Sequence, residues 1–231
     1  MSCDTLSRKS VNAIYVSLYD ACVMAVGGIG IFIAGAFVWT FFEYVLHRFA
    51  FHEMRGKGIG SREHLNHHVK ADWNFDPIIT LAWFGVVLFG VGWATLGAQW
   101  LAMPLAVSLG AGWTFGYFFY EWHHRAAHVR APRNQWERWL RKHHFHHHFG
   151  HPLDNEGVTI DLWDRVFGTR VGPEVVRVPR RMAMRWLLDD NGQVKPQFVA
   201  DYELVGTEST TSERQLKLDR ARAFANETPI A

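Results

Sequence analysis

Cysteine is scarce in this chain: Cys3 and Cys22 are the only two among 231 residues. That excludes a disulfide-stapled scaffold. Charge of one sign is lacking too. Lys and Arg number 24 against 22 Asp and Glu, which excludes a protein dominated by nucleic-acid binding. Internal repeats are absent at solenoid-like periods. Aromatics are plentiful, with 11 Trp, 17 Phe and 6 Tyr, so disorder is excluded. The most informative absence is local. Ala21–Phe42 and Pro77–Tyr120, 22 and 44 residues long, contain no Asp, Glu, Lys or Arg.

A helix needs about 20 apolar residues to cross a bilayer core of about 30 Å. The longer run makes about 66 Å of helix, enough for two crossings. Gly97, Ala98, Gln99 and Trp100, followed by Pro104, mark the turn of a hairpin, roughly Ile78–Leu96 and Leu101–Tyr120. A pair of buried helices in a soluble bundle is the alternative, but core helices seldom lack charge around their whole circumference. The apolar N-terminal stretch Val11–Phe42 follows Arg8 and Lys9 and contains Asp20 and the weak spot Gly27-Gly28-Ile29-Gly30. It reads as one span behind an amphipathic segment, or as two short re-entrant helices. Asp20 interrupts any signal-peptide core, so the segment is expected to be retained.

The predicted fold class is all-α, an integral membrane bundle of three to four spans carrying a cytosolic histidine-rich helical cap. A membrane domain is expected over 1–170, with spans near 21–46, 78–96 and 101–120 and the cap at 47–76 and 121–170. Residues 171–231 are polar and free of histidine. They read as a mostly solvated cytosolic tail, docked near Trp186 and Phe198, with a surface helix over Gln215–Phe224.

All 14 histidines lie between His47 and His151, outside the uncharged runs. Residues at i, i+3 and i+4 share a helix face. His64/His67/His68 and His144/His147/His148 have that spacing, and His124/His128 is an i, i+4 pair. Each set can aim imidazoles at one point. His47 and His52 are five apart, and they converge only if the helix ends or unwinds between them. A hairpin returns the chain to the side it left, so all the clusters share one compartment. Arg48, Arg55, Lys57, Arg62, Lys70, Arg125, Arg130 and Arg133 mark that side as cytoplasmic. The expected setting is the inner membrane of a bacterium or the endoplasmic reticulum of a eukaryote.

Imidazole suits Zn, Cu, Fe and Ni. A closed structural zinc needs only four ligands, whereas ten placed histidines give about five to each of two metals, with one open position apiece. Neutral imidazoles leave the metal charge uncancelled, so carboxylates should orient the rings. Glu43, Asp72, Glu121, Asp154, Asp161 and Asp164 are the candidates. Trp73, Phe75, Phe118, Phe119 and Trp122 could line a route for a lipid chain or form an interfacial belt.

These residues resemble the membrane fatty acid hydroxylase and sterol desaturase superfamily, over Glu43 to about Thr169. The resemblance is carried by Glu43-Tyr44-Val45-Leu46-His47-Arg48 and His52, then His64, His67 and His68. It resumes at Tyr120-Glu121, His124 and His128, then His144, His147, His148 and Phe149. It closes with Gly157-Val158-Thr159, Trp163-Asp164 and Phe167-Gly168-Thr169. It implies a centre of two iron ions, for which zinc can substitute in a structure, with O2 as co-substrate. The implied metal ligands are His47, His52, His64, His67, His68, His124, His128, His144, His147 and His148.

The implied reaction is hydroxylation or desaturation of a lipid C–H bond, with the closing motif most like the branch that 2-hydroxylates fatty acyl chains. Sterol or carotenoid oxidation is the alternative within the superfamily. The implied partners are a membrane lipid substrate and a separate electron donor of the cytochrome b5 or ferredoxin type. No nucleic acid is expected. His143/His146/His147 has the same spacing as His144/His147/His148, and the resemblance favours the second set because Phe149 follows it. His123, His143, His146 and His151 then lie outside the ligand set. A metal transporter or metal buffer is the reading from another class, but transporters carry ionisable ligands within their spans, and Pro77–Tyr120 has none.

Overall fold

The computed structural model describes residues 3–73, 77–207 and 210–229, with side chains from residue 17 onward except that of Ile79. The chain divides into two compact units: residues 1–39 with 77–117, and residues 40–76 with 118–231.

The first unit contains most of α1 (Cys3–Val45), all of α3 (Ile79–Gly97) and the first half of α4 (Met103–Val129). α1 and α3 are long and apolar enough to cross a membrane, and their apolar windows are only 6% and 11% buried. Core helices of a soluble bundle would be covered; these present Val26, Ile29, Phe84, Leu88 and Phe89 outward. Such surfaces suit lipid as the solvent. α1 is one continuous helix, so neither two re-entrant helices nor a break at Gly27–Gly30 occurs. The reason is that a glycine costs a helix only about 1 kcal/mol, while a broken helix in lipid leaves backbone groups unsatisfied.

Small residues set the helix spacing here. A Cβ on Gly112 of α4 would lie 2.0 Å from the Phe32 carbonyl oxygen of α1, and one on Gly35 would lie 2.2 Å from the Leu109 carbonyl oxygen. The backbones are in direct contact, as small-residue packing permits. Trp39 sits edge-on to Trp113 at 5.1 Å and to Tyr117 at 5.2 Å.

The second unit carries a π-helical turn (Leu46–Glu53), α2 (Ile59–Lys70), the rest of α4, α5 (Gln135–Phe149) and α6 (Leu162–Phe167). Strands β1 (Val176–Pro179) and β2 (Tyr202–Val205) pair in parallel, Val176 opposite Tyr202, and α7 (Glu213–Ala225) follows. The fold is therefore mostly helical with a small sheet, not purely α. The tail is also not a solvated extension. Val176, Val178, Met182, Leu187, Phe198 and Tyr202 form one core with Phe145 and Phe149 of α5 and with Trp186. Composition hid this, because the apolar residues are few but alternate: Val176 and Val178 are buried while Arg177 points out.

The joint between α4 and α5 is electrostatic. Asn134 caps α5 by accepting the Glu137 N–H at 2.8 Å. The Glu137 carboxylate accepts two bonds from Arg130 and one from buried Arg141, whose guanidinium also caps the Ala126 and Arg130 carbonyls. Arg130 foremost, then the Arg133 amide and Arg141, holds the Glu137 carboxyl well below the usual range.

The glycine contacts are testable. Gly112→Ala should destabilise the detergent-solubilised protein by about 1–3 kcal/mol through overpacking. Gly92→Ala, where a Cβ meets nothing within 4 Å, should stay within about 1 kcal/mol of the parent. Thermal unfolding read side by side checks this, and equal effects would show that α1 and α4 are not in backbone contact.

Candidate metal centre

The π-helical turn solves the His47/His52 spacing. A π-helix closes i→i+5 bonds, so residues five apart come onto one face. The helix neither ends nor frays; it widens, and both rings point inward, 1% and 0% exposed.

The ten histidines gather in two groups of five. His47, His52, His64, His68 and His147 form one; His67, His124, His128, His144 and His148 form the other. Within each group, one ring nitrogen per residue lies within 4.8 Å of all the others. Nine of the ten rings are buried and His67 is half-buried. His123, His143, His146 and His151 fall outside both groups.

The same-face triples do not each aim at one point. In α2, His64 and His68 go to the first group and His67 to the second. In α5, His144 and His148 go to the second group and His147 to the first. At about 100° per residue, the i and i+4 rings lean to one side of the face and the i+3 ring to the other. The two helices thus exchange single rings. Where the groups adjoin, His68 and His148 stack at 4.1 Å, 10° from parallel.

The ring tautomers follow from the acceptors. His47 Nδ1 faces the Glu156 carbonyl at 2.5 Å, His147 Nδ1 the Asp154 carbonyl at 2.9 Å, His67 Nδ1 the Asp72 carbonyl and His128 Nδ1 the Ala71 carbonyl, both at 3.0 Å. A carbonyl oxygen only accepts, so Nδ1 holds the proton and Nε2 is a bare lone pair. Yet the Nε2 atoms face one another: His47 to His64 at 3.0 Å, His64 to His52 at 2.9 Å, His68 to His64, His147 to His68 and His52 to His147 at 3.1 Å. In the second group His67 faces His124 at 3.1 Å and His128 faces His144 at 3.0 Å.

Where both facing rings carry the proton on Nδ1, the two Nε2 lone pairs repel one another unless a cation lies between them. The spacing fits one: donors about 2.1 Å from an octahedral ion are about 3.0 Å apart along an edge. Burial, foremost, drives all ten imidazoles below their ordinary value, His47 and His67 to about 4. They are neutral imidazoles at physiological pH, the form that can bind a metal ion.

Carboxylates play a different part from the one expected. Backbone carbonyls orient four of the rings, and the carboxylates hold the loop that supplies two of those carbonyls. Asp164 accepts from the Glu156 and Gly157 amides at 2.8 and 2.9 Å, from Thr169 Oγ1 at 2.7 Å and from His143 Nε2 at 3.3 Å. Glu43 accepts from the Val158 and Thr159 amides and the Thr159 hydroxyl. Asp161 pairs with Arg165 and Arg170, the Asp154 carboxylate lies 3.5 Å from His146, and Glu121 interacts with Arg125. Asp72 contributes its carbonyl.

Of the aromatics, Trp73 reaches the centre, 5.0 Å from His124 and 5.7 Å from His67. Phe119 and Trp122 surround His123 instead. Phe118 is 40% exposed, and Phe75 lies outside the described residues.

Two residues were not legible. Glu156 is fully buried, its carboxyl 3.6 Å from His47 Nδ1 and without a hydrogen-bond partner among the described residues. Burial, then the charge of Asp164, pushes it well up, toward the neutral acid. Asn226 bonds His52 from the far end of the chain. Its only sequence signal is that asparagine often ends a helix.

A model of the fatty acid hydroxylase family matches residues 32–169. Dihydroceramide fatty acyl 2-hydroxylase FAH1 of Arabidopsis thaliana is 35% identical over 143 residues, 60% of this chain and 60% of that protein. Ceramide very long chain fatty acid hydroxylase SCS7 of Saccharomyces cerevisiae is 32% identical over 156 residues, 62% of this chain and 38% of that protein. Fatty acid 2-hydroxylase of Homo sapiens is 30% identical over 149 residues, 61% of this chain and 39% of that protein. The matches thus span about two to three fifths of these relatives' length.

Acid should open the centre. The folded-state values lie below the unfolded value of about 6.5. The neutral cluster's contribution to stability is therefore complete above about pH 6.5 and is lost as pH falls toward about 4. Unfolding of metal-free protein followed from pH 8 to pH 4 should show a steep loss across that window. A flat profile would mean that the rings are not held neutral.

Proposed function

The chain belongs to the fatty acid hydroxylase family, and from that premise we propose that it is an O2-dependent oxygenase that hydroxylates a C–H bond of a lipid acyl chain. The observation that carries this reading is the pair of five-imidazole groups, each with one ring nitrogen per residue turned toward the others. Each group is a ligand set for one ion, iron in the active protein. Five donors would leave room for a further ligand on a six-coordinate ion, which a structural site would not need. When bound, the two irons supply O2 activation with electrons from a separate donor protein. The chain's own residues do the rest. The ten imidazoles bind without adding charge, the carbonyls of Ala71, Asp72, Asp154 and Glu156 fix the orientation of His128, His67, His147 and His47, and burial excludes water.

The acyl-chain substrate is supported by the relatives, named as hydroxylases of fatty acids, dihydroceramide and ceramide. A bilayer-embedded substrate also suits a chain with outward-facing apolar helices. For the membrane part we infer three spans, within α1, α3 and the apolar half of α4, with the histidines on the cytoplasmic side. The arginines and lysines flanking them support that side.

Lipid mass spectrometry of cells with and without the protein tests the activity: an acyl chain heavier by one oxygen is the expected product. An unchanged lipidome in cells supplied with iron, O2 and a working donor would overturn it.

The ligand set has its own test. Purified protein should hold two metal ions per chain. His67→Ala and His147→Ala should each lose metal and activity together, while His146→Ala keeps near-normal metal. Metal lost from His146→Ala but kept in His148→Ala would shift the assignment on α5 by one residue.

Sidedness is checked with cysteine tags. Tags near Lys57 and Arg133 should label from one face and a tag at Ala98 from the other. Labelling of the first two from opposite faces would defeat a shared site.

A further inference from the structure

Beyond residue 169 the family signature ends, yet the chain returns to the centre. Asn226 follows the last residue of α7 and is 7% exposed. Its side chain makes two bonds to one residue: Nδ2 donates to the His52 carbonyl at 3.2 Å, and Oδ1 faces His52 Nδ1 at 3.2 Å. The first bond fixes the amide's orientation, because a carbonyl cannot donate. The second then fixes the ring, because Oδ1 can only accept. His52 therefore carries its proton on Nδ1 and offers Nε2 as a lone pair, 2.9 Å from His64 Nε2 and 3.1 Å from His147 Nε2.

We propose that Asn226 is a positioning residue of the first histidine group, so that the C-terminal helix completes the metal centre. This rests on the reading of that group as a ligand set. Of the five rings whose acceptors were traced, four use backbone carbonyls, which any residue would supply; His52 alone among these depends on a side chain. That side chain comes from 174 residues away.

The helix that brings it is firmly held. Asp219 of α7 is 2% exposed and accepts two bonds from Arg181, at 2.7 and 2.9 Å. The Phe224 ring lies under Gly56, where a Cβ would sit 2.4 Å from it and where φ is +83°. Asn226 itself has φ +59°, and its N–H closes the helix on the Ala223 carbonyl. Asparagine suits both tasks, tolerating the left-handed cap and carrying the amide.

That double role gives a clean variant. Asn226→Gly keeps the left-handed cap without strain and removes only the amide. Asn226→Asp keeps an oxygen that accepts from His52 Nδ1 but not the donor to the His52 carbonyl. The experiment uses the full chain in detergent, loaded with Co(II). Metal per chain and the Co(II) absorption spectrum are followed as a chelator is titrated in.

The parent should hold two ions. Asn226→Gly should release one of them at about 10–100-fold lower chelator concentration, the usual effect of removing a ligand's orienting partner. The other ion should be unaffected, and the spectral change confined to the ion that weakens. Asn226→Asp should recover most of that loss. Parent-like retention of both ions by Asn226→Gly would overturn the proposal. So would equal losses in the Gly and Asp variants, which would make α7 a packing element only. A parent holding fewer than two ions would overturn the reading of the two groups, and this inference with it.

Discussion

The structure depends on a proton placement. In five of the ten rings, an oxygen that can only accept holds the Nδ1 proton, and Nε2 is left as a lone pair facing other imidazoles about 3 Å away. His52 and His147 thereby face each other lone pair to lone pair at 3.1 Å, an arrangement no hydrogen bond rewards, so the surrounding fold must impose it. The loop from Asp154 to Thr159 supplies two of the carbonyls, and its shape is set by Asp164 from below and Glu43 from α1. Burial alone would raise Asp164, but the bonds from His143, Thr169 and Gly157 outweigh it and keep the carboxylate charged. Tyr44 ties to Thr169, and Arg48 to Tyr44. Glu43 and Tyr44 before His47, and Asp164 and Thr169 beyond the loop, are thus two halves of one clasp.

A second regularity concerns how few helices serve two groups. Each group takes two rings from a helix that continues out of the first unit: His47 and His52 after α1, His124 and His128 in α4. Each takes two more from one of the short helices α2 and α5, and a single ring from the other. The i, i+3, i+4 spacing suits this exchange because it splits one helix face into a pair and a singleton about 60–100° apart. A strict i, i+4, i+8 row would serve one group only. The stacked rings of His68 and His148 are where the two sets meet.

Much of this was legible. Uncharged runs located the apolar helices, since a lack of charge on every side needs no knowledge of partners. Histidine spacing identified which rings share a face. What spacing could not give was the sharing between groups, because the i+3 ring's destination depends on the neighbouring helix. His47 and His52 posed the clearest local problem; the requirement that the helix unwind was visible, but not that it would widen into a π turn. The orienting groups were misassigned to carboxylates because carbonyls have no sequence signature. Glu156 and Asn226 were invisible for a related reason, each reaching its histidine through folding of the loop or the tail. The tail itself was misread because two short strands and a few apolar residues bury well only against α5.

The order of cause between metal and fold can be argued from the same contacts. In a zinc finger the ion supplies the folding energy, and the ligands scatter without it. Here the rings are held by groups that do not involve an ion. Phe145 and Phe149 of α5 are locked into the tail's core, Glu137 and Arg141 fix α4 to α5, and Asp219 anchors α7 through Arg181. These contacts offset the repulsion of the inward lone pairs and the cost of burying neutral imidazoles without donors. Both nitrogens of His148 and Nδ1 of His144 lack hydrogen-bond partners among the described residues, a penalty of about 1–3 kcal/mol for each such group. A scaffold that tolerates this penalty is shaped in advance for a ligand it has to orient, which favours catalysis by keeping reorganisation small. Orientation is what the carbonyl and amide bonds to Nδ1 supply, and metal retention follows from it.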